Sequence, residues 1–363
     1  MYYNPVKISE VDSWEEKYLS LKKELNFKNP IIITSKGNQE RNNLNAIFDL
    51  KSIYNQIKPD PTFESCESAI NFSNKSKFDG LVAFGGGSVM DTAKAVLAAI
   101  STGNNNLIKL FKINKPFKKK IPTIFIPTTH GTGSEVTKWG TIWNTQEKKK
   151  YSISHNDLYP TVAILDAKLT LSLSVENSII TILDALSHSF ESIWNKNANS
   201  TSTDLAIESI TYILMNANKI KGDPLNLKLR KGLLKASSIA GLAFSNTKTA
   251  AAHSISYPLT LNYGIPHGVA SSISLIPLLK INRKSISEDL NIIFNKTKLS
   301  FDEIIEEIKN LTSNIIPFKL SKWGINKEEL PLLASQSFTK GRMDNNIVDL
   351  DESDVLEILN YIY

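Results

Sequence analysis

Asp184 and His188 stand one helical turn apart in Asp184-Ala185-Leu186-Ser187-His188, and two further imidazoles, His253 and His267, follow in the same half of the chain. On a helix that spacing puts a carboxylate and an imidazole on one face, where they can grip one ion. His253 and His267 would close a divalent-metal site. An Asp and a His at this spacing also arise as an ordinary exposed helical pair. What sets this pair apart is company: the chain has 5 histidines, and three of them lie here beside Gly, Ala or small polar residues. His267 sits in Gly264-Ile265-Pro266-His267-Gly268, where Pro266 fixes the chain and Gly268 leaves room ahead of an apolar run, 269–279. That pattern predicts a buried helix with a side chain held at its mouth. The single cysteine, Cys66, excludes an internal disulfide and a thiolate-rich cluster, leaving oxygen and nitrogen ligands.

A second set of residues suits phosphate. The apolar stretch Gly80 to Phe84 runs into Gly85-Gly86-Gly87-Ser88 and then a helical segment, 89–100, with Asp91 in its first turn. Strand, glycine run and helix bring bare N–H groups and a positive dipole end to one place. The run matches neither G-x-G-x-x-G nor G-x-x-x-x-G-K-[ST], and a plain turn is the competing reading. Another apolar strand, Ile121 to Ile126, ends in Pro127-Thr128-Thr129-His130-Gly131-Thr132-Gly133-Ser134-Glu135, a hydroxyl-rich loop that would form a second cradle on the same sheet edge rather than a flexible linker. His130 there either faces a cofactor or is a hydrogen-bonded loop histidine; His155 reads as solvent-exposed. The strand 31–34 ends at Ser35 and Lys36, where an acidic residue would instead hold a ribose 2′-hydroxyl.

These residues need a scaffold, and its periodicities change near residue 170. Before it, helices are expected at 14–26, around 43–54 and through Ile70, with further strands at 31–34 and 162–165 and a rigid turn at Lys58-Pro59-Asp60-Pro61-Thr62. After it, apolar residues recur at helical spacing over 179–193, 204–215, 229–243, 301–311 and 355–363. The expected organisation is an α/β nucleotide-binding domain over 1–170, with a Rossmann-like parallel sheet, and an all-α metal-binding and substrate domain over 171–363. A length of 363 residues suits two domains, and 41% hydrophobic with 21% charged residues is globular composition. No apolar run approaches the ~20 residues of a membrane span, and the first residues lack a signal-peptide pattern, so no membrane and a cytoplasmic location are expected. The net charge of +6 comes largely from Lys118 to Lys120 and Lys148 to Lys150 without interleaved aromatics, which reads as solvated loops and no nucleic-acid partner.

With these residues in place, the chain resembles the iron-containing (group III) alcohol dehydrogenase family over nearly its whole length. The marks are Gly85 to Ser88 with Asp91 and Lys94, Pro127 to Glu135, Asp184 to His188, His253 and Gly264 to Gly268. The resemblance implies a dehydroquinate synthase-like architecture with a cleft between the domains, a homodimer, NADH or NADPH as cofactor, and Fe²⁺ or alternatively Zn²⁺ on Asp184, His188, His253 and His267. It implies cofactor contacts at Ser35, Gly86, Gly87, Ser88, Asp91, Thr128, Thr129, Ser134 and Lys150. Ser35-Lys36 in place of an acidic residue leads to the expectation that NADPH serves as well as NADH or better. Tyr257 stands where many members carry a second histidine for proton transfer, and Asp60 stands where the family's turn has Asn. The stretch Lys248 to Thr260, with Ser134 to Trp139, looks like the phosphonoacetaldehyde reductases.

That likeness implies reduction of a small anionic aldehyde, phosphonoacetaldehyde, to 2-hydroxyethylphosphonate. An anionic head group needs a cation. Lys248 is the first choice, followed by Arg342 and Lys138. Proton delivery runs through water, the ribose or Tyr257. The competing functions are a general short-chain alcohol or butanol dehydrogenase, a dehydroquinate-synthase-like lyase, and a binding protein that kept the fold and lost catalysis.

Overall fold

Strands that are apolar at every position belong inside a sheet covered on both faces, and that is where the chain puts them. The computed structural model describes residues 2–147 and 149–363; Lys148, in the second lysine cluster, lies outside the described residues. The α/β unit comprises residues Asn4–Thr129 and Ser134–Thr170. Its elements are β1 (Lys7–Val11), α1 (Trp14–Glu24), β2 (Pro30–Thr34), α2 (Lys36–Arg41), β3 (Ile53–Tyr54), α3 (Phe63–Ser73), β4 (Gly80–Gly85), α4 (Gly87–Thr102), α5 (Leu107–Leu110), β5 (Thr123–Pro127), β6 (Trp139–Asn144), β7 (Lys149–Ser154) and β8 (Val162–Asp166). Six strands form a parallel sheet in the order β1-β8-β5-β4-β2-β3. Alternation within the strands sends Ile32, Val82, Phe84 and Ile124 to one face, against Trp14 and Tyr18 of α1, and Ile31, Ile33, Leu81 and Ala83 to the other, against Cys66 of α3 and Val96 of α4.

The order reverses at β2, whose neighbours are β3 and β4. A doubly wound sheet binds ligands at such a switch point, beyond the carboxyl ends of its strands. Ser35, Gly86 to Ser88 and Thr128 all follow those ends. The polar helix expected around 43–54 is absent: two 3-10 turns and the two-residue β3 occupy it, and Asn43 takes a left-handed conformation at φ 44° that breaks any helix there. β1 and the antiparallel hairpin β6–β7 add to the expected strands.

The helical unit comprises Leu171–Tyr363, a short N-terminal stretch ending at Tyr3, and the loop His130–Gly133. Its helices are α6 (Val175–Ile193), α7 (Ser200–Asn216), α8 (Leu227–Thr247), α9 (Ala251–Tyr263), α10 (His267–Ser272), α11 (Leu275–Asn282), α12 (Ser287–Thr297), α13 (Phe301–Thr312), α14 (Leu330–Gln336) and α15 (Glu352–Tyr361). α6 starts at Ser174, whose hydroxyl accepts from Asn177 N–H as an N-cap should, and its Ile179, Ile182, Leu186 and Phe190 enter one large core. The loop 130–133 joins this unit because its glycines let backbone meet backbone. A Cβ at Gly131 would lie 2.7 Å from the Thr181 carbonyl oxygen, and one at Gly133 would lie 2.5 Å from Gly241 Cα. No helix among the described residues is long and apolar enough to cross a membrane.

Candidate metal centre and cofactor cradle

Three helices bring the four predicted ligands together: Asp184 and His188 on α6, His253 in the first turn of α9, and His267 as the first residue of α10. α10 approaches α6 closely because Gly268 has no side chain; a Cβ there would sit 2.0 Å from the Ile180 carbonyl oxygen. Ser187 donates to the Ser271 carbonyl at 2.6 Å, and Ser271 donates to Asp184 Oδ1 at 3.1 Å. Small residues between the two helices thus set both the separation and the direction of the carboxylate.

Around Asp184 Oδ1 lie the Nε2 atoms of His253 at 3.6 Å, His267 at 3.8 Å and His188 at 4.0 Å. Those gaps exceed a hydrogen bond and approach the edge, about 3.4 Å, of a tetrahedron whose corners each lie ~2.1 Å from a central ion. The ligand atoms of Asp184, His188 and His253 all lie within 4.8 Å of one another. His253 Nε2 is buried without a hydrogen-bond partner, a costly state for a polar atom unless a cation takes its lone pair. One carboxylate and three imidazoles, with no thiolate, suit Fe²⁺ or Zn²⁺. Asp184, His188 and His253 are 3%, 5% and 2% exposed, whereas the His267 side chain is 26% exposed, so the centre opens to solvent on one side, as a catalytic site requires.

Two groups outside the predicted set orient these side chains. Glu191, fully buried and next on the same face of α6, accepts the backbone N–H of His253 at 3.0 Å through Oε1. Its Oε2 makes a short contact with His253 Nδ1. A proton held on Nδ1 leaves the Nε2 lone pair for a metal. Phe244 of α8 stacks on the His188 ring, with centroids 4.0 Å apart and planes 13° from parallel, and His188 stacks on His253 at 4.6 Å. The spacing of Asp184, His188 and Glu191 on one helix face was the sequence signal for Glu191; nothing local marked Phe244.

The charges are coupled. Desolvation would raise the Asp184 carboxyl, but His188, His267 and His253 hold it far below the usual carboxylate range. Desolvation would lower His253, but Glu191 and Asp184 push it up to about 9. A raised imidazole contributes stability below its unfolded pKa of about 6.5 and loses that contribution as pH rises through 9. A metal competes with the same proton. The melting-temperature gap between metal-loaded and metal-stripped protein is therefore expected to widen from pH 6.5 to 9, read by calorimetry; a constant gap would contradict this coupling.

In the α/β unit, α4 has Gly86 at its N-cap and so no side-chain cap, leaving its first N–H groups available to phosphate. Thr128 N–H donates to the Gly85 carbonyl at 3.1 Å, and a Cβ at Gly86 would meet Thr129 Cγ2 at 3.1 Å, so the glycine run and the threonine loop form one wall. Ser88 accepts from Asp60 N–H at 3.1 Å. Asp91 accepts from Ser134 Oγ at 2.8 Å and Thr141 N–H at 2.9 Å, and the buried Lys94 donates to Ser134 Oγ at 2.7 Å and Thr137 Oγ1 at 3.0 Å. Desolvation lowers that amine to about 8, with Asp91 and Glu135 opposing. Asp91, Lys94 and Ser134 thereby brace the loop that follows β5. Ser35 caps α2, accepting from Asn38 N–H at 3.3 Å, and Lys150 lies over the Trp143 ring at 5.3 Å.

The remaining predicted residues are spread over both units. Lys138 of the α/β unit donates to Asn156 Oδ1 at 2.8 Å. In the helical unit, Arg342 donates to the Gly341 carbonyl at 2.7 Å, Lys248 is exposed just past α8, and Tyr257, 7% exposed, follows His253 by one turn of α9. His130 is a hydrogen-bonded loop histidine, fully buried, with Nδ1 3.1 Å from Thr181 Oγ1; desolvation and then Arg230 lower it to about 3. His155 is not solvent-exposed: its side chain is 14% exposed and stacks on Phe117 at 4.7 Å.

Comparison with known proteins gives a consistent answer. The sequence profile described as iron-containing alcohol dehydrogenase matches residues 11–167, and that of the Fe-containing alcohol dehydrogenase family, C-terminal, matches 178–363. Long-chain-alcohol dehydrogenase 1 of Geobacillus thermodenitrificans is 32% identical over 304 residues, 80% of this chain and 76% of that one. Sulfoacetaldehyde reductase of Bilophila wadsworthia is 28% identical over 81% of this chain and 79% of its own length. The crystal structure of sulfoacetaldehyde reductase from Bifidobacterium kashiwanohense in complex with NAD⁺ superposes with a TM-score of 0.89 at 27% identity, covering 100% of this chain and 98% of that one.

Proposed function

We propose that this chain, which belongs to the iron-containing alcohol dehydrogenase family, takes as its substrate a small aldehyde with an anionic head group, phosphonoacetaldehyde being the first candidate. The coarser activity is that of the family: metal-dependent, NAD(P)H-linked reduction of an aldehyde to an alcohol. The observation that carries it is the convergence of Asp184, His188, His253 and His267 through three helices. When bound, the metal supplies Lewis acidity to a carbonyl oxygen and NAD(P)H supplies the hydride.

The protein's part is position, charge and protons. The single carboxylate of Asp184 leaves a divalent centre with net positive charge, and Glu191 keeps His253 presenting Nε2. Tyr257, in the second turn of α9, is the proposed donor of the proton that completes the alcohol. Gly86, Gly87, Ser88, Thr128, Thr129 and Lys150 are the proposed cofactor contacts, with Ser35 beside the ribose and Asp91 and Ser134 as their support. Lys36 faces solvent with Glu40 3.9 Å away, an exposed pair worth little, so its charge remains available to a 2′-phosphate. Ser35→Asp is expected to move the kcat/KM ratio of NADPH to NADH about tenfold or more towards NADH; an unmoved ratio would remove Ser35 from the ribose site.

The anionic reading is supported by Lys248, with Arg342 and Lys138 as further cations, and by the relatives that reduce sulfoacetaldehyde, whose aldehyde carbon and sulfonate are arranged like the aldehyde and phosphonate of phosphonoacetaldehyde. A general short-chain alcohol dehydrogenase is the second reading, favoured by the likeness to enzymes of uncharged alcohols; the lyase reading has no such support. A homodimer in the cytoplasm, with no nucleic-acid partner, completes the proposal, resting on the resemblance, the single cysteine and the absence of a basic aromatic stripe. The test is an anaerobic assay of iron-loaded protein with NADPH and NADH on phosphonoacetaldehyde, sulfoacetaldehyde, propanal and butanal. Anionic aldehydes are expected to exceed butanal in kcat/KM by about tenfold or more. Equal values would leave the general dehydrogenase, and no turnover of any aldehyde would end both readings.

A further inference from the structure

Lys248 has φ 66° and ψ 179°, a backbone conformation essentially confined to glycine. The other described non-glycine residues at positive φ are Asn26, Asn43, Asp60, Lys298 and Asn314. Asn and Asp tolerate that side of the map, and Lys298 sits at ψ 18° in the common left-handed helix cap. Lys248 is the outlier. Hydrogen bonds from neighbouring side chains tie down its carbonyl and the next one. Asn195, just past the end of α6, donates to the Lys248 carbonyl at 3.2 Å, and Asn345 donates to the Thr249 carbonyl at 2.9 Å. Thr247 Oγ1 donates to the Lys248 carbonyl at 2.9 Å, and Ser192 Oγ, 3.4 Å from Thr247 Oγ1, donates to the His188 carbonyl at 2.8 Å. Asn195, Thr247, Thr249 and Asn345 are all buried, while Lys248 itself is exposed.

We propose that Lys248 is the specificity-determining residue of the site, its backbone held by buried asparagine carboxamides in a conformation that otherwise belongs to glycine. The inference rests on the anionic-substrate reading above and deepens it. Glycine would occupy this position without strain, so the side chain must return something for the strain it brings. What it brings is a positive charge at the start of the loop leading into the helix of His253, on a backbone tied by hydrogen bonds to the helix of Asp184 and His188. An aldehyde bearing a phosphonate or sulfonate is the substrate class that gains from a cation carried there; a neutral aldehyde gains nothing comparable.

Three substitutions separate strain from charge. Lys248→Gly removes both, Lys248→Ala removes the charge and keeps the strained Cβ, and Lys248→Arg keeps both. The melting temperature of the metal-loaded protein is expected to rise by about 2–6 °C in the Gly variant and not in the Ala or Arg variants. The kcat/KM ratio of phosphonoacetaldehyde or sulfoacetaldehyde over butanal is expected to fall about tenfold or more in the Gly and Ala variants and to be largely kept by Arg. No rise in the Gly variant overturns the strained backbone. A rise without a fall in the ratio makes the position strained for another reason and overturns the specificity role. If the unaltered protein shows no preference for the anionic aldehydes, the reading of function fails and this inference with it, whereas a preference that survives in the Gly and Ala variants overturns this inference alone.

Discussion

Asp184→Asn is expected to lower kcat/KM for aldehyde reduction roughly a thousandfold and to abolish stoichiometric binding of a divalent ion. The substitution keeps the shape and removes the charge. Asp184 supplies the sole negative charge among the four proposed ligands, and its Oδ1 is the atom around which all three imidazole Nε2 atoms gather, at 3.6 to 4.0 Å. Without it a divalent ion would leave water for three neutral nitrogens. The Lewis acidity that activates a carbonyl is worth several kcal/mol, and each 1.36 kcal/mol is a factor of ten. Asn can still accept from Ser271, so the contact between α6 and α10 survives and the fold is expected to persist by circular dichroism. A variant with native activity and a native metal content would show that the cluster is not the reaction centre.

Glu191→Gln is expected to weaken metal binding roughly 10–100-fold, measured by competition with a chelator. Both oxygens of Glu191 act as acceptors for His253, one from the backbone N–H at 3.0 Å and one from Nδ1. A carboxamide has one acceptor oxygen, so the variant can serve the main chain or the ring and not both. If it serves the main chain, its NH₂ group faces Nδ1 and the ring carries its proton on Nε2, toward the metal. Glu191 is fully buried against His253, so its effect is expected to run through the tautomer and orientation of that ring. Metal affinity is the readout that separates this from a packing role. Unchanged affinity would leave Glu191 as a buried spacer.

The parts legible in the sequence were those with one dominant physical constraint. β2, β4, β5 and β8 are buried on both faces and had to be written as unbroken apolar runs. α6 had to carry Asp184 and His188 at helical spacing, and Gly268 announced a close approach that the Ile180 carbonyl explains. β1 stayed hidden because Lys7, Ile8 and Glu10 are exposed at the sheet edge, and a half-solvated edge strand has no apolar signature. The region 43–54 was misread because asparagines that favour left-handed turns look, in composition, like a polar helix. The hairpin β6–β7 was masked by lysines read as loop. At the site, the cluster of Asp184, His188, His253 and His267 was legible and its neighbours less so: Glu191 shares a face with Asp184 and His188, whereas Phe244 reaches His188 from another helix, which no local pattern encodes. The strain at Lys248 is a property of the backbone and of buried asparagines distant in sequence.

Asp184, His188, His253 and His267 are expected to hold one divalent ion on which reduction depends. The most direct test is to strip the protein with a chelator, reconstitute it anaerobically with Fe²⁺ or Zn²⁺, and measure bound metal per chain alongside NAD(P)H-linked aldehyde reduction, with His253→Ala in parallel. One ion per chain, activity that returns with that ion, and neither binding nor activity in His253→Ala is the predicted result. Undiminished reduction by the stripped protein, or full metal binding by His253→Ala, would contradict it.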